Sequence, residues 1–180
     1  ILAAYYGGIA ETVIMRIIDI LMAIPSIILS ISICAALGSG IVNTMIAVGI
    51  SSIPTYARVF RSAVISEKSR EYIEASRAVG AGNMRIILRH ILPNSLAPVI
   101  VQASLGVAQA ITTAASLSFI GLGIQPPNPE WGALLSGGRQ YIRDYPHMVV
   151  YPGIAIMLTV LALNLIGDGL RDALDPRLKR

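Results

Sequence analysis

Ile20 to Ala57 reads ILMAIPSIILSISICAALGSGIVNTMIAVGISSIPTYA, 38 residues without one charged side chain. A helix needs roughly 20 apolar residues to cross about 30 Å of hydrocarbon, so this run is long enough for two crossings. Gly38-Ser39-Gly40 followed by Asn43 supplies the turn chemistry for a hairpin between them. The reading is one span over about Ile14 to Leu37 and a second over about Ile41 to Phe60. Pro25 is tolerable inside the first, because neighbouring helices can satisfy a freed carbonyl in lipid. Ser26, Ser30, Ser32, Ala35 and Ala36 are small enough to let helices approach closely.

The rest of the chain repeats this alternation. Of its 180 residues 54% are hydrophobic and only 13% charged, against about 25% charged in soluble domains. Ile91 to Pro129 is a second uncharged run. Its helical part is expected over Asn94 to Leu122, and Gln125-Pro126-Pro127-Asn128-Pro129 cannot continue a helix because proline lacks the amide donor. Glu130 to Tyr145 reads as a polar connection with Trp131 and Tyr141 at interfacial positions. A last span follows over about Pro146 to Ile166. ILAAYYGG at the start reads as the tail of a further spanning helix, giving about five spans with the N-terminal part missing. Glu11, Arg16 and Asp19 read as a solvated helix start at the membrane edge, with Asp19 neighbouring Arg16 three residues earlier.

The basic residues orient these spans. Arg58 to His90 carries seven Lys or Arg against three Glu, and the tail adds Arg171, Arg177, Lys179 and Arg180. The loop from Gly123 to Tyr145 has only Arg139 and Arg143. The positive-inside bias then places the first two segments in the cytoplasm. The net charge of +4 is thus explained by topology and not by nucleic acid.

Motifs for chemistry are missing. The chain has no GxxxxGK[ST], HExxH, CxxC or GxSxG. His90 and His147 fall at different predicted membrane faces, and the single Cys34 lies in an apolar run, where it packs as a small residue. No metal, cofactor or catalytic group is expected. Asp168, Asp172 and Asp175 recur at roughly helical spacing, but Arg171 and Arg177 between them favour a salt-bridged tail over a cation site. Ionisable residues at membrane depth mark ion paths; the central parts of these spans carry none, so the energy for any transport has to come from a partner. An ATPase-independent secondary transporter or channel is the alternative.

The water-facing element is Glu71 to Pro93, EYIEASRAVGAGNMRIILRHILP. Ser66 can cap a helix entering Glu67, with Glu67, Glu71 and Glu74 in its early turns. Tyr72, Ile73, Ala75 and Val79 make one face. Gly80-Ala81-Gly82 is a tight turn and Asn83 a cap for a second helix, Met84 to Leu92, ended by Pro93. There Ile87, Leu88 and Ile91 share one face, and Arg85 and Arg89 another.

EASRAVG, nine residues from Ala81 to Arg89, then HILP resembles the EAA loop of binding-protein-dependent ABC importer permeases. Glu74, Ala75 and Gly80 match that pattern, as do Ile91, Leu92 and Pro93, with Ser76 in place of the second Ala. YYGG at Tyr5 to Gly8, MRIIDILMAIPS at Met15 to Ser26, SLSFIGLGIQPPNPEWG at Ser116 to Gly132 and NLIGDGLRDALDPR at Asn164 to Arg177 look like the peptide/nickel branch, and most like its DppC/OppC-type second permease. Ala114 departs from the pattern, standing where a Glu is expected. The resemblance implies an all-α polytopic transmembrane domain of the type I importer (MetI-like) fold over residues 1–180, in the inner membrane, with a cytoplasmic coupling loop over 66–93. It implies ATPase-coupling roles for Glu74, Ala75, Ser76, Gly80, Ile91, Leu92 and Pro93. It also implies separate ATPase subunits, a second and different permease, and a substrate-binding protein delivering peptides or nickel.

Overall fold

The computed structural model describes residues 1–174 of the chain. Every regular element among them is helical: α1 (Leu2–Tyr6), α2 (Gly8–Ala23), α3 (Ser26–Leu37), α4 (Ile41–Lys68), α5 (Glu71–Ala78), α6 (Asn83–Ile86), a π turn (Ile87–Ile91), α7 (Leu92–Phe119), α8 (Trp131–Gly138), a 3-10 turn (Arg139–Tyr141) and α9 (His147–Leu174). The described residues fall into two compact units.

The first unit holds Ile1–Ala23, Ile53–Ala103 and the segment from Leu170. Its core is Ala4, Tyr5, Val64, Ile73, Ile86, Ile87 and Ile91, with Ile1, Phe60 and Ala81 packed against it. Two ion pairs join α2 to α4: Asp19 to Arg58 at 2.7 Å and Glu11 to Arg61 at 2.6 Å. Arg16, the expected neighbour of Asp19, is instead exposed. Partners distant in sequence thus replace the local pair that helical spacing suggests.

The second unit holds Ile24–Ser52 and Ser104–Gly169. Cys34, Ala47 and Leu117 are its buried centre, flanked by Ile31, Ile33, Val48 and Leu122. Small residues do bring the helices close here. Ser30 is fully buried and its Oγ lies 2.8 Å from Ser51 Oγ. The hairpin read from Gly38-Ser39-Gly40 is present: Asn43 Nδ2 donates to the carbonyls of Leu37 and Gly38 at 2.9 and 3.1 Å, covering the bare end of α3. The Gly40 N–H bonds the Gly123 carbonyl at 3.1 Å. Glu130 to Tyr145, read as a polar connection, contains a helix of its own. Glu130 accepts a hydrogen bond from the Ala133 N–H at 2.7 Å and so starts α8; an acidic cap three residues ahead of a bare N–H is the signal that the composition of this segment hid.

The spans are redrawn as well. Among the described residues two helical runs are long and apolar enough to cross a membrane, Asn83–Phe119 and His147–Leu174, or three if the broken pair Gly8–Ala23 and Ser26–Leu37 is one span. About five were expected. The opening segment is helical over Leu2–Tyr6 and ends at Gly7. The helix expected to run through Pro25 breaks there: Pro25 has φ −52° and ψ 131° and begins α3 instead of continuing α2. Proline both lacks the donor and pushes the preceding Ile24 out of the helical region. In α4 the apolar run is diluted by Asn43, Thr44, Ser51, Ser52 and Thr55, which lowers the mean hydropathy of its 28 residues. In α9 none of the most apolar window is buried; Leu158, Leu161, Leu165 and Ile166 are all more than half exposed, an outer surface suited to lipid or another membrane helix and not to water.

Candidate functional site

The segment from Lys68 to Leu92 lies wholly in the first unit and forms a corner. On its near side, α4 runs through Ser66 to Lys68, so Ser66 caps nothing and Glu67 belongs to the last turn of α4. The next helix starts at Glu71, with Arg70 extended ahead of it and no side-chain cap. Glu71 and Glu74 sit in its first turn and Arg77 in its last, which suits the helix dipole at both ends. The Tyr72 hydroxyl donates to the Glu67 carboxylate and accepts from Asn94 Nδ2, tying the start of α5 to its neighbours. Burial, and then the hydrogen bond to Glu67, push the Tyr72 phenol above its ordinary range.

Gly80 makes the corner. It has φ +84°, the left-handed region in which a Cβ collides with the following carbonyl. The Gly80 N–H bonds the Arg77 carbonyl at 2.9 Å and the Ala81 N–H bonds the Ser76 carbonyl at 3.0 Å. That pair of bonds is a Schellman motif, and Ala81 packing on the core is its usual hydrophobic companion. Gly82, with φ −67° and ψ 151°, then leads into α6. Asn83 is the first residue of α6 and does not cap it; its side chain is engaged elsewhere, accepting from the Tyr5 hydroxyl at 2.9 Å.

The far side departs most from the sequence reading. Pro93 does not end the helix; Asn83 to Phe119 is one helical run of 37 residues. The π turn just before Pro93 absorbs the disruption: the Leu92 N–H reaches the Ile87 carbonyl, five residues back. Ile86, Ile87 and Ile91 are buried in the core of this unit, while Leu88, expected to join Ile87 and Ile91, is 57% exposed.

The residues singled out from the sequence differ in exposure. Glu74, Ala75, Gly80 and Pro93 are exposed, Ser76 and Leu92 are half-buried, and Ile91 is fully buried. Ile91 belongs to the core on which the corner packs. Of the face expected from Tyr72, Ile73, Ala75 and Val79, only Ile73 is inside; Val79 is 85% exposed. Val79, Met84 and Leu88 thus present apolar side chains beside the exposed Arg85 and Arg89. Together they form an exposed surface of mixed apolar and basic character. A cleft of about 650 Å3 opens beside the start of α5, lined by Glu67, Arg70, Tyr72, Asn94, Pro98 and Arg171 among others.

The tail contributes less. Among the described residues no group of three or more His, Cys, Asp or Glu is placed to hold a metal, and the ion pairs found do not include Asp168, Arg171 or Asp172. Asp175 and Arg177 lie outside the described residues.

Comparison with known proteins gives a consistent picture. Residues 1–180 match the family described as binding-protein-dependent transport system inner membrane component. The chain is 54% identical over 179 residues to the dipeptide transport system permease protein DppC of Alkalihalophilus pseudofirmus, covering 99% of this chain and 59% of that protein. It is 51% identical over 179 residues to the di/tripeptide transport system permease protein DppC of Pseudomonas aeruginosa, covering 99% and 59%. It is also 51% identical over 179 residues to the glutathione transport system permease protein GsiD of Pectobacterium atrosepticum, covering 99% and 60%. The chain spans about three fifths of the length of these relatives.

Proposed function

Because the chain belongs to the family of binding-protein-dependent transport system inner membrane components, we propose that it works as a permease subunit of an ATP-driven importer of short peptides. Its α5 corner is the lever that couples ATP hydrolysis to the spans. The observation that carries this reading is the construction of the corner. Glu74, Ala75 and Val79 face outward, Gly80 closes the turn with two main-chain bonds, and Ile73, Ile86, Ile87 and Ile91 anchor it without exposure. The same helical run then continues to Phe119. A force applied at α5 is passed along a packed and hydrogen-bonded path into a membrane-length helix, which is how rigid-body motion is transmitted between domains.

On this reading the ATPase subunits bind the exposed face with Glu74, Ala75 and Ser76, Gly80 sets its angle, and Ile91, Leu92 and Pro93 join it to α7. A second, different permease subunit completes the pathway, and an extracytoplasmic binding protein delivers the cargo. Peptide is the favoured cargo because the similar proteins transport dipeptides, di- and tripeptides and glutathione. The chain itself performs no hydrolysis; α7 from Leu92 to Phe119 has no ionisable side chain, which disfavours an ion-driven carrier.

The test is reconstitution of the intact transporter in vesicles. Uptake of a labelled dipeptide should require both internal ATP and the loaded binding protein. Uptake driven by a proton or sodium gradient without ATP would overturn the reading, and uptake of nickel but not peptide would overturn the cargo.

A further inference from the structure

The side chain best placed to control the corner is not in the loop. Tyr5, in α1, is 3% exposed and its ring lies in the core with Val64, Ile73, Ile86, Ile87 and Ile91. Its hydroxyl donates to Asn83 Oδ1 at 2.9 Å and accepts from Arg77 Nη2 at 3.3 Å. Arg77 precedes the Gly80 turn and Asn83 follows it, so one phenol oxygen bridges the two arms of the corner. The Tyr5 carbonyl accepts from Lys68 Nζ at 2.6 Å, which adds the end of α4. The Lys68 ammonium and the Arg77 guanidinium also lie 5.5 and 5.7 Å from the Tyr5 ring centre, within cation–π range. A phenylalanine would fill the same apolar space, and a buried hydroxyl is costly unless bonded. The polar contacts of this oxygen are therefore what distinguishes tyrosine here.

We propose that Tyr5 is a positioning residue for energy coupling: its hydroxyl latches the arms of the Gly80 corner at a fixed angle, so that motion of α5 reaches α7 without slack. This rests on the reading of α5 as the ATPase-facing lever. Tyr5→Phe keeps the core filled and removes the latch. In the intact reconstituted transporter, dipeptide taken up per ATP hydrolysed should fall about fivefold, the effect of one net hydrogen bond. Subunit co-purification and thermal stability, which report a merely structural role, should change little by comparison. Asn83→Leu removes the same bond from an exposed position and should lower the ratio equally. Asn83→Asp keeps an acceptor and should hold the wild-type ratio, and Tyr5→Phe with Asn83→Leu should be no worse than either alone. Should Tyr5→Phe fail to assemble, Asn83→Leu and Asn83→Asp decide the matter by themselves. Wild-type ratios in Tyr5→Phe and Asn83→Leu, beside a lowered ratio in Gly80→Val, would remove the latch and leave the lever standing. A wild-type ratio in Gly80→Val as well would remove the lever.

Discussion

Gly80 and Gly82 offer a matched pair for testing whether the shape of the corner matters. They are two residues apart in one loop, and a Cβ built on either meets no atom within 4 Å. They differ in backbone: Gly80 has φ +84° and Gly82 has φ −67°. A Cβ at Gly82 therefore meets neither a clash nor left-handed backbone strain. At Gly80 the left-handed conformation costs about 1–2 kcal/mol for an L-residue, and valine, branched at Cβ, sits at the upper end or above it. With about 1.4 kcal/mol per factor of ten, Gly80→Val should lower the population of the native corner roughly five- to thirtyfold relative to competing turn geometries. The assay is labelled-dipeptide uptake into vesicles, divided by ATP hydrolysed in the same preparation. Gly80→Val should lose most of its uptake per ATP, whereas Gly82→Val should stay within about twofold of wild type by the same scale. Gly80→Asn should fall between them, since asparagine visits the left-handed region more readily. Equal uptake per ATP in Gly80→Val and Gly82→Val would refute the argument, because the strain at φ +84° is what singles out Gly80.

Other perturbations follow from packing and charge. Gly132→Ala would place a Cβ 2.0 Å from the Ala115 carbonyl oxygen and 2.7 Å from its Cα; α8 has to lift off α7, so thermal unfolding in detergent should show a loss of about 1–3 kcal/mol. Gly167→Ala meets the end of the flexible Leu105 side chain at 2.7 Å and should cost less in the same measurement. Arg61→Ala strands the Glu11 carboxylate, 19% exposed, whereas Arg58→Ala releases an Asp19 that is 44% exposed; the second should cost at most about 1 kcal/mol and the first more, read from paired melting curves. Pro93→Ala restores a backbone donor within a run that is already helical, so helicity by circular dichroism and transport per ATP should both be retained. Loss of transport in a well-assembled Pro93→Ala protein would assign the proline a role of its own.

Much of the architecture was legible in composition and turn chemistry. The uncharged runs Ile20 to Ala57 and Ile91 to Pro129, the Gly38-Ser39-Gly40 hairpin and the Gly80-Ala81-Gly82 corner all concern single residues or local segments, whose preferences act without regard to what lies opposite. The EAA-like spacing also pointed to the family that the full-length match then established.

What stayed hidden needed a second surface. Helix ends at Ser66 and Pro93 run against the local signals, which context absorbs, whereas at Pro25 the local break prevails over the expected continuation. Pro93 breaks an isolated helix, yet a π turn anchored by the buried Ile87 and Ile91 carries the chain past it. The partners of Glu11 and Asp19 lie 50 and 39 residues away, beyond the reach of helical spacing. Tyr5 carries no local sign of its part in the corner, 78 residues from the asparagine it bonds. The sequence by itself determined that this is an oily helical chain with one charged, glycine-hinged loop, because hydropathy and φ preferences are properties of short segments. Only the tertiary structure decided which side chains hold that loop still, because burial, ion pairing and hydrogen bonding depend on residues that folding alone brings together.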